Sequence, residues 1–136
     1  MLNQISLFTE NNEGGLFKIT TILAKANINI YTMLANDSAE FGIVRLIVDK
    51  AETAIEVLKA EGYQCRQDKV IAVEMNDTPG YLDGIISAIH GANIDISYLY
   101  ISFNRDNVKP VVVFKTNEPE TATFLIGRGY KLLETF

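Results

Sequence analysis

Apolar positions along this chain follow two rhythms, and the order of those rhythms is played twice. Residues 2–9 alternate around Ile5 and Leu7, the period of a half-buried strand. Leu16, Ile19, Leu23 and Ala26 then recur at three- and four-residue steps, which places them on one face of a helix. Asn12 and Glu13 stand just before that face, where side-chain oxygens can meet the N–H groups of a first helical turn. Asn27 ends the pattern, and Ile28, Ile30 and Thr32 resume period two. Residues 36–40 are polar and turn-like, and residues 41–48, with their Ile43-Val44 and Leu46-Ile47-Val48 runs, have strong strand propensity. Asp49 and Glu52 form a helix-start pair ahead of the stripe Ala51, Ala54, Ile55 and Leu58. Gly62 suits the left-handed residue that stops such a helix, and a short strand begins at Tyr63.

The scheme then repeats. Residues 5–33 laid over 71–99, a shift of 66, match identically at Ile5/Ile71, Gly14/Gly80, Leu16/Leu82, Ile19/Ile85, Ala26/Ala92, Asn27/Asn93, Ile28/Ile94 and Ile30/Ile96. Further on the shift becomes 68, pairing Val44 with Val112 and Ala54 with Ala122, and then 67 for Gly62-Tyr63 against Gly129-Tyr130. A recurring Ala-Asn-Ile and a recurring Gly-x-Leu-x-x-Ile, in one order and at one spacing, mark an internal repeat. In the second half a strand is expected over 70–75, a helix over 79–91, strands over 94–103 and 111–115, a helix from Asn117 and Glu120 to Gly127, and a closing strand over 130–135. Pro79 and Pro119 suit early helical positions, where N–H groups lack internal partners.

Each half therefore reads βαββαβ. The fold class is α+β: two tandem ferredoxin-like βαββαβ domains, each an antiparallel four-stranded sheet with two helices on one face, over residues 1–68 and 69–136. Arg66-Gln67-Asp68-Lys69 is the whole boundary, and so short a connection argues for close docking.

Composition removes several function classes. Of 136 residues, 17 are Asp or Glu and 12 are Lys or Arg, a formal charge of −5, and no basic run offers a nucleic-acid patch. One cysteine and one histidine do not supply a disulfide, a zinc site or an iron–sulfur cluster. No apolar run approaches the roughly 20 residues of a membrane span. The first residues carry no positive charge and meet acidic residues early, so a cytoplasmic location is expected. The glycines match neither a P-loop nor a dinucleotide turn, and no cofactor is implied.

The residues of each half resemble an ACT domain, the small βαββαβ regulatory module of amino-acid metabolism. The resemblance is strongest in Asp77-Thr78-Pro79-Gly80-Tyr81-Leu82, followed by Ile85, Ile89 and Gly91-Ala92-Asn93-Ile94-Asp95-Ile96. The first half offers Asn11-Asn12-Glu13-Gly14-Gly15-Leu16, then Ile19, Leu23 and Ala26-Asn27-Ile28-Asn29-Ile30. It departs from the family's Pro-Gly pair by carrying Glu13-Gly14-Gly15. The resemblance spans the whole chain and, by length, suits a stand-alone pair of ACT domains. It implies binding of a free amino acid or similar small metabolite at a domain interface, a homodimer, and a regulated metabolic protein as partner, with no nucleic acid and no membrane.

The ligand residues it implies are Asn11, Asn12, Gly14, Gly15 and Leu16 in the first half. In the second they are Asp77, Thr78, Pro79, Gly80, Tyr81 and Leu82. Their chemistry suits amino-acid binding, because helix-start N–H groups receive a carboxylate, glycine lets the ligand approach, and Asn11 or Asp77 can accept from an ammonium. The same residues can instead simply satisfy a turn. Tyr31, Tyr98 and Tyr100, on the second strands, are packing residues that can also cover a ligand. His90 points away from its helix's apolar stripe, and Cys65 beside Arg66 can gain thiolate character but has no sequence-near base. No carboxylate pair or nucleophile–base pair points to catalysis, so the expectation is a non-catalytic sensor. The alternatives are a structural or protein-interaction module and, less favoured, a small metabolic enzyme.

Overall fold

The chain folds as β1 (Leu2–Glu10), α1 (Gly15–Lys25), β2 (Ile30–Asp37), β3 (Phe41–Val48), α2 (Ala51–Ala60), β4 (Gln64–Glu74), α3 (Tyr81–Gly91), β5 (Ile96–Phe103), β6 (Pro110–Thr116) and α4 (Thr121–Gly127). This computed structural model describes residues 1–10, 14–37 and 41–136. Asn11, Asn12 and Glu13, and the turn expected around Ser38, Ala39 and Glu40, lie outside the described residues. Asn36 and Asp37 belong to β2. The chain divides into two compact units, Asn3–Asp68 and Lys69–Phe136, the latter including Met1–Leu2.

The repeat is visible in the backbone. Left-handed residues fall at Gly14 (φ 78°) and Gly80 (φ 86°), Asn27 (φ 56°) and Asn93 (φ 57°), and Gly62 (φ 92°) and Gly129 (φ 89°). The first pair opens α1 and α3, and the others follow the helix C-termini, where such a residue ends the coil. Even the irregularities recur, since β2 breaks register between Ile30 and Thr32 and β5 between Ile96 and Tyr98. That slip turns Ile96 and Leu99, three apart, onto the same core.

In the first unit β1 and β2 flank β3 antiparallel, with Ile5 opposite Leu46 and Leu46 opposite Met33. Ile19 and Leu23 of α1 and Ala54 and Leu58 of α2 bury against Ile5, Leu7, Val44 and Leu46. The second unit repeats the layer, with Ile71 opposite Phe114 and Phe114 opposite Leu99. Ile85, Ile89 and Leu125 cover Ile71, Val73, Val112 and Phe114. Each fully buried side chain of this kind contributes about 1.5–3 kcal/mol relative to an exposed one.

Several expectations change. Eight strands were expected and six form among the described residues, β3 lying between β1 and β2 in the first unit and β6 between β4 and β5 in the second. The polar boundary at 66–69 is not a loop but the middle of β4. Asp68 is buried there, accepting from Ser6 Oγ at 3.0 Å and from Arg66 Nε at 3.1 Å, so the charge sits in a ladder without requiring a turn. The strand expected over 130–135 shrinks to one bridge, Leu132 with Val73. Pro79 and Pro119 stand before their helices. Asp49 caps no helix, since its Oδ1 accepts from Asn29 N–H at 2.9 Å and Lys50 takes the N-cap position of α2. The buried positions of the last helices align at a shift of 67, Ala54 with Thr121 and Leu58 with Leu125, rather than the expected 68.

Candidate functional site

The two candidate loops join the first strand of each unit to its first helix. In the second unit the chain leaves β4, and Asn76 C=O accepts from Thr78 N–H at 2.9 Å. Asp77, Thr78, Pro79 and Gly80 are exposed. Gly80 then turns left-handed, its carbonyl accepting from Gly84 N–H at 3.0 Å, and no side chain caps the start of α3. An exposed helix start without a side-chain cap keeps its polarity available to an anion.

Tyr81 and Leu82 point the other way. Both are half-buried against the core, and Tyr81 meets Tyr130 edge to face at 6.2 Å and 86°. That packing helps to hold the helix start in place. In the first unit Gly14 is likewise left-handed, exposed and uncapped, with Lys18 N–H donating to its carbonyl at 3.0 Å. Gly15 is half-buried, but Leu16 is 46% exposed where its counterpart Leu82 is tucked in. The two helix starts thus share a backbone and differ in their apolar side chain.

A Cβ built on Gly80 would meet nothing within 4 Å, so its requirement is the dihedral and not the space. Gly80→Ala is expected to cost about 1–2 kcal/mol through left-handed strain alone, and Gly80→Asn less. Equal denaturant midpoints for the wild type and the alanine variant would refute that requirement.

The remaining singled-out residues fall into place. Tyr100 is buried, and Tyr31 and Tyr98 are half-buried, all three engaged in interactions within the fold. His90 is exposed in the last turn of α3. Cys65 departs from expectation: burial pushes its thiol up, and Arg66 is committed to Asp68.

One residue passed over in the sequence is Glu74, the one polar residue in the otherwise apolar run 70–75. It is buried, and its carboxylate accepts from Asn104 Nδ2 at 2.8 Å and Asn107 Nδ2 at 3.3 Å, with Lys131 Nζ at 3.2 Å and Lys109 Nζ at 3.6 Å. The Asn104 hydrogen bond, helped by Asn107 and Lys131, overcomes the upward push of burial and holds the carboxyl at about 2. With donors on every side this carboxylate serves the fold, gathering the β5–β6 turn and the C-terminal segment.

Among the described residues no group of three or more His, Cys, Asp or Glu is placed to hold a metal ion. Among the described residues no helix is long and apolar enough to cross a membrane.

Comparison with known proteins places this geometry. No curated protein matches the chain. Among solved structures, protein BT0572 from Bacteroides thetaiotaomicron is 28% identical, covers 97% of this chain and 91% of its own, and superposes with a TM-score of 0.89. The ligand-free regulatory subunit of aspartate kinase from Thermus thermophilus is 18% identical over 93% of this chain and 90% of that one, with a TM-score of 0.69. Its counterpart from Thermus flavus is 15% identical over 91% and 88%, at 0.63, and both share the fold. The family model described as an ACT domain pair matches residues 1–131, and the chain belongs to that non-catalytic regulatory family.

Proposed function

We propose that this chain is a regulatory sensor of a free amino acid or similar small metabolite, built from two ACT domains over residues 1–68 and 69–136. It acts as a homodimer in the cytoplasm on a metabolic partner. The observation that carries the ligand reading is the start of α3: a left-handed Gly80, no side-chain cap, and Asp77, Thr78 and Pro79 exposed beside it. The N–H groups of that turn would take the ligand carboxylate and Asp77 its ammonium. Gly14, Gly15 and Leu16, with Asn11 and Asn12, would frame a second site of the same kind. The similarity of the fold to regulatory subunits of aspartate kinase supports a sensing role, and the family supports its being non-catalytic.

A thermal-shift screen across branched, aromatic and polar amino acids tests the reading, with mass analysis of each incubated hit. A stabilising amino acid recovered unchanged is expected. Calorimetry should then show Asp77→Asn weakening it by roughly 2–5 kcal/mol if the contact is buried in the complex, with Asn11→Ala reporting on the first loop. Absence of any stabilising amino acid would leave a structural module, and product formation would make it an enzyme. Unchanged affinity and stoichiometry in both folded variants would remove the assigned polar roles.

A further inference from the structure

The two units are drawn on one plan, so a difference between them is informative. Along α1 and α2 runs an open groove of about 640 Å³, a volume within the range of small-molecule sites. Its walls are Ile22, Ala26, Val57 and Ala60, with Phe17 at the rim, 76% exposed. In the second unit the residue equivalent to Val57 is Phe124, half-buried against the core, with the Arg128 guanidinium 5.0 Å from its ring centre. The equivalent of Phe17 is Asp83, which is exposed. One unit thus supplies an apolar ring and a covering cation from its own chain. The other carries a smaller side chain there and leaves a large aromatic one to water, an exposure that a solvated surface does not reward.

Charge is spread unevenly along the groove. Lys18 Nζ sits 5.6 Å from the ring centre of Tyr63, and Lys50 Nζ donates to Asn27 C=O at 2.8 Å. The start of α1 therefore lies beside the end of α2, and the end of α1 beside the start of α2. Antiparallel dipoles offset each other at both ends, so side chains decide the local charge. At the Phe17 end Lys18 and Glu61 both line the groove and balance each other. At the other end Lys25 lines it, and Glu61 is the single acid among the described residues of the lining. Lys50 and Asp49, near that end, are held by backbone, at Asn27 C=O and at Asn29 N–H. Glu52 and Glu56 of α2 are exposed outside the lining. The result is an apolar channel with one cationic end, and Phe17 stands eight residues of helix, about 12 Å, from Lys25.

From this arrangement we infer that the groove binds an apolar monocarboxylate of the medium-chain fatty-acid kind, with its carboxylate at Lys25 and its chain running past Ile22 and Val57 to Phe17. The stem of Lys25 can lie on the apolar wall while its ammonium stays at the mouth to meet the acid. A free amino acid fits less well, because its own ammonium would approach Lys25. A second anionic group on the ligand would meet Glu61 at the far end. An extended peptide would lay unpaired backbone N–H and C=O groups against apolar walls. This site is apart from the helix-start loops and does not depend on whether they bind a ligand.

Calorimetric titration of the full chain tests it, with decanoate below its micelle-forming concentration, decanol and acetate as probes. One decanoate per chain is expected, with decanol about fivefold weaker and acetate not taken up. Lys25→Gln should weaken decanoate to the level of decanol and leave decanol unchanged. Lys18→Gln, at the balanced end, should alter decanoate affinity less than about twofold. Phe17→Ser should weaken decanoate and decanol alike. Val57→Phe, which installs the residue of the second unit, should abolish uptake of both, and Ala60→Leu obstructs the groove from an exposed position if Val57→Phe does not fold. Absence of saturable decanoate uptake by the wild type overturns the proposal and leaves the groove to a protein partner. Uptake that survives in a folded obstructed variant, or an affinity indifferent to Lys25→Gln, overturns it as well.

Discussion

Shortening Phe114 to alanine is expected to lower the unfolding free energy by about 3–5 kcal/mol. The ring is fully buried on β6, with Ile71 on one neighbouring strand and Leu99 on the other. It belongs to the cluster that receives Ile85 and Ile89 from α3 and Leu125 from α4, so its removal opens a cavity where both helices and the sheet meet. Leu46 occupies the equivalent place in the first unit, which shows that the fold accepts a smaller side chain when its neighbours are chosen for it. Phe114→Leu should accordingly cost much less than Phe114→Ala. Urea denaturation of the three proteins measures this, and a loss below about 1 kcal/mol for the alanine variant would mean that the second unit repacks around the gap.

Replacing Glu74 by glutamine should cost roughly 2–3 kcal/mol near neutral pH, since hydrogen bonds to a charged group are among the stronger ones. Asn104, Asn107, Lys109 and Lys131 all converge on this carboxylate. The turn they hold contains Val108, a β-branched residue at φ 62°, so the clamp also restrains a strained backbone. The acidity dependence follows from the depressed carboxyl, which titrates near 2 in the fold against 4.5 ordinarily. Its contribution is complete above 4.5 and drains away as pH falls toward 2, because the unfolded chain takes up the proton first. Melting temperatures of wild type and Glu74→Gln should therefore converge as pH is lowered through that window. A gap that stays constant down to a pH of about 2 would assign the loss to something other than the charge.

The helix faces and the strand cores were legible because burial imposes a period. Ile19 with Leu23 and Ile85 with Ile89 lie where their spacing puts them. Gly14 and Gly80 were legible as special positions, and both prove left-handed. The boundary was misread because Arg66, Gln67, Asp68 and Lys69 look solvated one at a time, whereas Asp68 is satisfied by Ser6, 62 positions earlier, a pairing with no local trace. Glu74 escaped for the same reason, its asparagine donors lying 30 and 33 residues downstream.

The C-terminal segment that fails to become a full strand still has a protective consequence. Along residues 72–74 it lays Leu133 N–H on Ala72 C=O and Lys131 C=O on Glu74 N–H, around the single bridge of Leu132 to Val73. Those few bonds cap the apolar stretch Val70-Ile71-Ala72-Val73, a sequence rich in β-branched residues. Peeling this tail away would bare a ready template for intermolecular strand addition, the first step of aggregation. The terminus thus acts as a stopper on the β4 side of the second unit, with the Lys131–Glu74 contact as its latch.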